Sequence, residues 1–156
     1  MIVYGKSLLE AVWKLRRIKP AEVLPGVNFF EFSVLSAVKY GGIRMKKTMK
    51  VSEIAQTLDV VPPAVSRAVK ILEQKQLIVR EADPKDRRNT CIRITKQGNQ
   101  IVKESEHILK EIFEGVYERM GEEKMQQLIE GLNTFGAALK IEMDKRKEQK
   151  VDGKDI

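Results

Sequence analysis

The sequence predicts a mainly α-helical protein with one small β-hairpin, an α+β fold. Apolar residues recur at helical spacing through most of the 156 residues. Only the segment 77–95 has the alternation of strands around a charged turn. A content of 33% charged and 6% aromatic residues favours helices over a β-sandwich, and 42% hydrophobic residues are enough to form a core.

Two helices are expected in the first part of the chain. Apolar residues recur from Leu8 to Leu15, and the irregular stretch 20–28 ends this helix. The second helix spans Phe29 to Tyr40, where Gly41-Gly42 predicts its end because glycine commonly terminates helices. We expect residues 43–50 to form a basic loop.

A short helix and a longer one follow, joined by a tight connection at residues 59–61. Ser52 is placed to cap the short helix, which has about two turns. Pro62-Pro63 begins the longer helix, which runs to about Lys75, because the first helical turn tolerates proline. One face of this helix is polar and basic and the opposite face is apolar; the polar residues are Pro63, Ser66, Arg67, Lys70 and Gln74, and the apolar ones are Val65, Ala68, Val69, Ile71 and Leu72.

The rest of the chain is predicted to form a hairpin followed by helices. Strands are expected at 77–81 and 90–95, with Ile92 and Ile94 on the face opposite to Cys91 and Arg93. Helical spacing resumes at residue 96, is interrupted at Gly121, and continues in a final helix.

A short helix, a tight turn, a helix with a basic face and then a hairpin make a winged helix-turn-helix. The DNA major groove admits one α-helix, and short side chains at its start let the backbone approach the base edges. Pro63, Ala64 and Ser66 are short, Arg67 can donate two hydrogen bonds to guanine, and Lys70 supplies a charge for a phosphate or base. We include Ser52, on the preceding helix, in this predicted DNA-binding set.

Positive charge is concentrated in the part of the chain that contains this arrangement. Residues 1–61 and 62–100 each carry a net charge of +5, whereas residues 101–156 carry −3, within a total of +7. This distribution is expected if only part of the molecule meets a polyanion. Composition alone, without the motifs, would favour a merely solvated basic face.

Several short segments in residues 51–98 resemble the MarR (multiple antibiotic resistance regulator) family of bacterial and archaeal transcription factors. The aspartate and arginine of the predicted hairpin tip, together with the strand and threonine that follow, are the most specific part. The segments are Val51-Ser52-Glu53-Ile54-Ala55, Val65-Ser66-Arg67, Leu72-Glu73, Leu77-Ile78-Val79-Arg80, Asp83-Pro84-Lys85-Asp86-Arg87-Arg88, Ile94-Thr95 and Gly98.

This resemblance implies a single MarR-like domain over residues 1–156. Its DNA-binding lobe would be 29–98, its helical dimerisation region 1–28 plus 99–145, and 146–156 a frayed tail. The implied protein is a homodimer that binds double-stranded DNA at a pseudo-palindromic operator. It would act as a repressor whose affinity falls when a small-molecule effector binds between the lobe and the helical base.

The resemblance also implies roles for the hairpin tip, the wing. Asp86 would position Arg88, and Arg88 would enter the minor groove; Asp86, Arg87 and Arg88 complete the predicted DNA-binding set. A narrow minor groove attracts arginine through its enhanced negative potential, and a carboxylate two residues away can fix the direction of the guanidinium.

The chain departs from the family pattern in two places. Gln76 stands where the family usually has glycine, so a non-glycine residue must make this turn or the geometry must differ. The loop 43–50 is longer and more basic than is usual, which fits either extra phosphate contacts or a simple connector.

Other function classes find little support in the sequence. One cysteine, Cys91, and one histidine, His107, make neither a disulfide framework nor a four-ligand metal site, so we expect no metal and no cofactor. Cys91 is interpreted as a small strand residue rather than a redox sensor. No nucleophile–base arrangement or phosphate-binding loop is present, so we expect no enzyme activity.

We also expect a cytoplasmic protein without a membrane association, because no apolar run approaches the length of a membrane span. Two alternative functions remain open. The winged helix can serve as a protein-interaction module for an acidic partner, or as a non-specific architectural DNA binder. The combination of Arg67 with Asp86 and Arg88 favours sequence-specific DNA binding over the first of these.

Overall fold

The computed structural model describes residues 2–18, 23–45, 48–82 and 90–152. This part of the chain contains six helices and one hairpin. The elements are α1 (Ile2–Arg17), α2 (Phe29–Met45), α3 (Val51–Thr57), α4 (Pro62–Gln74), β1 (Ile78–Ala82), β2 (Thr90–Ile94), α5 (Lys96–Met120) and α6 (Glu122–Asp152). The chain divides into two compact units, one ending at Leu109 and the other beginning at Lys110.

The core of the first unit joins α2, α3 and α4 to the hairpin and to the start of α5. Apolar side chains from all of these elements are fully or almost fully buried; the largest are Leu35, Ile54, Leu72, Ile78, Ile92 and Val102. Their burial removes apolar surface from water, which is the main stabilising contribution to such a lobe. The core therefore fixes α4 relative to the hairpin.

The hairpin is antiparallel, with Ile78 opposite Ile94 and Ala82 opposite Thr90. Met49, which lies outside the two strands, forms a one-residue bridge to β2. Its N–H donates to the Ile92 carbonyl (3.4 Å) and its carbonyl accepts from the Ile92 N–H (2.7 Å). β2 is thus paired on both sides, with β1 on one and with Met49 on the other. Cys91 is buried, although the predicted alternation placed it opposite to Ile92, which is also buried.

The predicted end of the second helix at Gly41-Gly42 is wrong, because α2 continues to Met45. A side chain at position 41 would collide with the Met49 sulfur. Gly41 therefore allows Met49 to pack against the helix, and it does not terminate it. The predicted loop 43–50 is correspondingly shorter, and residues 46 and 47 lie outside the described residues.

The predicted cap of the third helix is also wrong, although its length of seven residues agrees with two turns. Lys50 occupies the N-cap position and Ser52 is the second helical residue. The Glu53 carboxylate accepts the Lys50 N–H at 2.8 Å, so an N–H left without a helical acceptor is satisfied by a glutamate three residues later.

The final helix extends further than the sequence predicted, whereas α5 ends at Met120, just before Gly121, as expected. Gly121 separates α5 from α6 with a φ of 78°, a left-handed conformation that glycine adopts without strain. The segment expected to fray from residue 146 is helical as far as Asp152, and residues 153–156 lie outside the described part. At the other end of the chain, α1 begins at Ile2 and not at Leu8.

Candidate nucleic-acid interface

The tight connection between α3 and α4 places the first turn of α4 at the surface. Asp59 adopts a left-handed conformation with a φ of 51°, which aspartate tolerates better than most residues. The Val60 N–H then donates to the Ala55 carbonyl at 3.0 Å. The proline pair starts α4 as predicted, at positions whose N–H groups would have no helical acceptor.

The two faces of α4 are as predicted, with one exception. Val65, Ala68, Val69 and Leu72 are buried. Ile71 was expected on the buried face but is 40% exposed, because it lies at the edge of a surface cavity. The residues of the predicted DNA-binding set that the structure describes are on the outside: Ser52, Pro63, Ser66, Arg67 and Lys70 are exposed and Ala64 is half-buried.

The wing residues of that set, Asp86, Arg87 and Arg88, lie outside the described residues. The described strands carry cation–carboxylate pairs that neutralise each other. Arg93 on β2 bonds Glu81 on β1, and this hydrogen bond holds the pKa of the Glu81 carboxyl below its ordinary value. Arg80 on β1 pairs with Glu73 on α4 at 3.0 Å.

The cations on the outer face of α4 differ from these paired ones. Among the described residues, neither Arg67 nor Lys70 has a hydrogen-bond or ion-pair partner. Lys75, at the end of the same helix, is paired with Glu31 at 2.7 Å. The accessible positive charge of α4 is therefore concentrated at Arg67 and Lys70, where both side chains can reach an anionic partner.

The turn after α4 is made by Gln76 in the left-handed conformation, with a φ of 60°. The Gln76 N–H donates to the Glu73 carbonyl and the Leu77 N–H to the Leu72 carbonyl, each at 2.9 Å. This is the hydrogen bonding of a glycine-terminated helix, achieved here without glycine. A non-glycine residue therefore makes the turn that leads into β1.

Thr95 and Gly98, which contributed to the resemblance, have structural roles. The Gly98 N–H donates to the Thr95 Oγ1 at 3.0 Å, so Thr95 caps α5. The Thr95 hydroxyl donates to the Gln76 carbonyl at 2.9 Å, with the Leu77 carbonyl at 3.1 Å. A Cβ at position 98 would collide with the Leu77 carbonyl oxygen, so glycine permits this close contact.

Sequence reasoning missed a cluster at the beginning of α2. The Glu31 N–H donates to the Asn28 side chain at 2.9 Å and the Glu31 carboxylate accepts the Asn28 N–H at 3.0 Å, which is a reciprocal cap. Glu31 is only 4% exposed. Its carboxylate also binds Lys75, which donates a second bond to the Gly26 carbonyl at 2.9 Å. The asparagine–glutamate spacing signals the cap, but no local pattern signals Lys75, which is 44 residues away from Glu31.

This cluster borders a cavity of about 240 Å³ between α2 and α4. Both Glu31 and Arg67 line this cavity, so the two side chains border the same space. The remaining lining residues are Asn28, Phe30, Ala64, Ala68 and Ile71.

The described residues give no support to a redox site at Cys91 or to a metal site. Cys91 is 3% exposed, and buried thiols in apolar surroundings are generally inert. Within the described residues, no three histidine, cysteine, aspartate or glutamate side chains are grouped so that they could hold a metal ion. In the same part of the chain, no helix combines the length and the apolar character needed to cross a membrane.

Comparison with known proteins supports the family assignment. The model of the MarR family matches residues 43–90, which include α3, α4 and the first strand of the hairpin. The YusO protein from Bacillus subtilis is 29% identical and its structure superposes with a TM-score of 0.61, covering 88% of this chain and 95% of YusO. The chain thus resembles MarR-family transcriptional regulators, in sequence over residues 43–90 and in fold over most of its length.

Curated relatives of this chain are named as HTH-type transcriptional regulators. An uncharacterised regulator of B. subtilis strain 168, YhbI, is 27% identical over 99 residues, which is 64% of each chain. The transcriptional repressor MdtR of the same strain is 39% identical over 74 residues, 47% of this chain and 44% of MdtR. The chain thus matches less than two thirds of the length of these relatives.

A protein solved in complex with DNA has the same fold as this chain. In the complex of Staphylococcus aureus MepR with DNA, the MepR chain superposes with a TM-score of 0.66 at 22% identity. The superposition covers 85% of this chain and 94% of MepR. This similarity establishes the winged-helix fold, with its helices and two-stranded wing.

Proposed function

We propose that this chain is a sequence-specific regulator of the MarR type that binds double-stranded DNA through the outer face of α4 and the wing. The observation that carries this proposal is the pair of exposed cations, Arg67 and Lys70, without partners among the described residues. An arginine on a groove-facing helix donates two hydrogen bonds to guanine, and a lysine neutralises a phosphate. Short residues at Pro63 and Ser66 leave room for the backbone to approach the bases.

The chain would act as a homodimer. Its first helix and both C-terminal helices expose apolar side chains, of which Trp13 and Leu132 are each 60% exposed. Exposed apolar area on this scale marks an interaction surface. The others on these helices include Leu8, Leu9, Val12, Ile112, Phe113, Val116, Leu128, Ile129, Phe135 and Leu139. A second copy that contributes the same helices would cover them with matching surfaces.

The operator would be pseudo-palindromic, because a two-fold dimer presents two recognition helices to one side of the duplex. We further propose repression as the output, in line with the name of the relative MdtR. A small-molecule effector would release the protein from DNA, and the cytoplasm is the compartment in which such a regulator operates.

Selection of bound duplexes from a random pool, followed by sequencing, tests the proposal. We expect an inverted repeat with half-sites about one helical turn apart, roughly 10 base pairs from centre to centre. Equal recovery of all sequences, with binding that disappears steeply as salt rises, would instead identify an architectural DNA binder. If no duplex is retained at low salt, the winged helix is a protein-interaction module.

A further inference from the structure

We infer that Lys75 is a positioning residue that keeps Arg67 available for DNA by occupying the buried carboxylate of Glu31. This inference rests on the proposed DNA-binding function of the same helix face. Lys75 itself is at the end of α4, away from the start of the helix, where the base-contacting residues lie.

Glu31 has a strong physical requirement for a cation. Its side chain is 5% exposed, and its Oε2 accepts the Asn28 N–H at 3.0 Å and the Lys75 ammonium at 2.7 Å. Removing the cation from a buried carboxylate leaves an uncompensated charge, which is unfavourable. A Glu31 without Lys75 would therefore attract the nearest available positive group.

Arg67 is the available positive group at this location. It lines the same cavity as Glu31, it is exposed, and it has no partner among the described residues. Arginine is also the side chain best suited to pair with a carboxylate, because its planar fork can donate two hydrogen bonds. Lys75 prevents this pairing by holding Glu31 from the opposite end of α4, with its second bond to the Gly26 carbonyl fixing the ammonium group.

The arrangement has a consequence for specificity. If Glu31 captured Arg67, the guanidinium would turn from the outer face of α4 towards α2, and one base contact in each half-site would be lost. The protein would still be folded and positively charged. It would bind the operator with lower affinity and lower discrimination at one position.

The test compares Lys75→Gln with the double variant Lys75→Gln/Glu31→Gln on the selected operator. We expect Lys75→Gln to weaken binding by about tenfold, within the range for loss of a bidentate arginine contact. The double variant removes one positive and one negative charge and should bind within about twofold of the parent protein, since no carboxylate remains to capture Arg67. The amide introduced by Glu31→Gln still offers an oxygen to the Asn28 N–H, so the cap of α2 is retained.

Two controls separate this effect from a loss of charge or of fold. Lys103→Gln, at an exposed position of α5, removes the same charge and should change affinity by less than about twofold because salt screens a distant charge. In the Lys75→Gln background, a further Arg67→Ala should have no effect, whereas in the parent protein it should have its full effect. If Arg67→Ala still acts fully in that background, or if Glu31→Gln does not restore binding, the inference is wrong.

A measurement without DNA distinguishes failure of this inference from failure of the proposed function. The Arg67 Nε–H signal in NMR spectra of the free protein should exchange rapidly with water in the parent and in the double variant, and slowly in Lys75→Gln. Equal exchange in all three would overturn the inference even if DNA binds. If Lys75→Gln does not fold, Lys75→Met keeps the aliphatic stem. If both fold only when Glu31 is also replaced, the pair stabilises the lobe and the inference is likewise overturned.

Discussion

Two groups of polar side chains in the first unit have different physical tasks. Glu53 and Thr95 accept backbone N–H groups at helix starts that have no helical acceptor. Arg67 and Lys70 take no part in such bonding among the described residues and remain solvated on the outer face of α4. Substitutions in the first group should change stability, and those in the second should change binding.

Arg67 and Arg88 should contribute different kinds of information to DNA recognition. Arg67→Ala should cost about 1–3 kcal/mol on the operator and remove the preference at one position in each half-site, as expected for a lost bidentate contact. Arg88→Ala should weaken binding to most duplexes and reduce the salt slope by about one unit per lost phosphate contact. Removal of Asp86 should give a weaker version of the Arg88 effect, because Asp86 would only orient that side chain.

Titrations of operator and scrambled duplexes at several salt concentrations measure these differences. Arg119→Ala, at an exposed position in the second unit, is the matched control and should leave both patterns unchanged. The DNA-binding proposal would have to be abandoned if Arg67→Ala and Arg88→Ala both bound like the parent protein.

The backbone at Gln76 predicts a stabilising substitution. A φ of 60° is unfavourable for residues with a Cβ, so Gln76→Gly should raise the free energy of unfolding by about 1 kcal/mol. Gln100→Gly, within α5, should lower it by a similar amount of about 1 kcal/mol, because glycine disfavours a regular helix. Urea denaturation of both variants checks the opposite signs. A destabilised Gln76→Gly would mean that the glutamine side chain contributes more than the backbone strain removes.

The helices and strands were predicted correctly where residues close together in the sequence determine them. The proline pair and the amphipathic pattern of α4 were sufficient to place it, and the polar turn between two apolar runs placed the hairpin. The end of α2 was mispredicted because Gly41 is required by Met49, a contact that depends on the tertiary fold. Ser52 was mispredicted as a cap because Glu53 reaches back to Lys50 and satisfies its N–H instead.

In the candidate site, too, features set by nearby residues were predicted and features set by tertiary contacts were not. The exposure of Arg67 and Lys70 followed from periodicity alone. The link between Glu31 and Lys75 joins the beginning of one helix to the end of another, so it becomes visible only once both are packed. The exposure of Ile71 likewise depends on the cavity between α2 and α4, which no helical pattern encodes.

The junction between the hairpin and α5 should be intolerant of a methyl group at one position. Gly98→Ala would place a Cβ against the Leu77 carbonyl and 2.8 Å from Ile94 Cγ1, and should destabilise the protein by about 1–3 kcal/mol. Gly115→Ala lies in the same helix with open space around it, and should be neutral or stabilising in that helix. Thermal denaturation followed by circular dichroism distinguishes the two. Equal stability of the two variants would show that β1 and α5 can separate without loss.

For the whole molecule, the exposed apolar residues of α1, α5 and α6 predict self-association. Leu132→Glu, alone or with Phe135→Glu, should convert a dimer into a monomer and reduce operator affinity, because a charge would be buried in an apolar interface. Ile43→Glu replaces a similarly exposed apolar residue on α2 and should leave the dimer intact. Sedimentation velocity at micromolar concentration measures both. A parent protein that is monomeric and binds the operator fully would contradict the prediction.

The single bridge between Met49 and Ile92 has a consequence for the time scale on which the hairpin opens. Ile92 is fully buried, and its N–H donates to the Met49 carbonyl at 2.7 Å, so deuterium can reach that amide only when the base of the hairpin detaches from the lobe. Amides of the strand ends nearer residues 83–89 need only a local opening. Hydrogen exchange should therefore slow progressively from the strand ends towards Ile92, and the amide of Ile92 should exchange only when the hairpin detaches from the lobe.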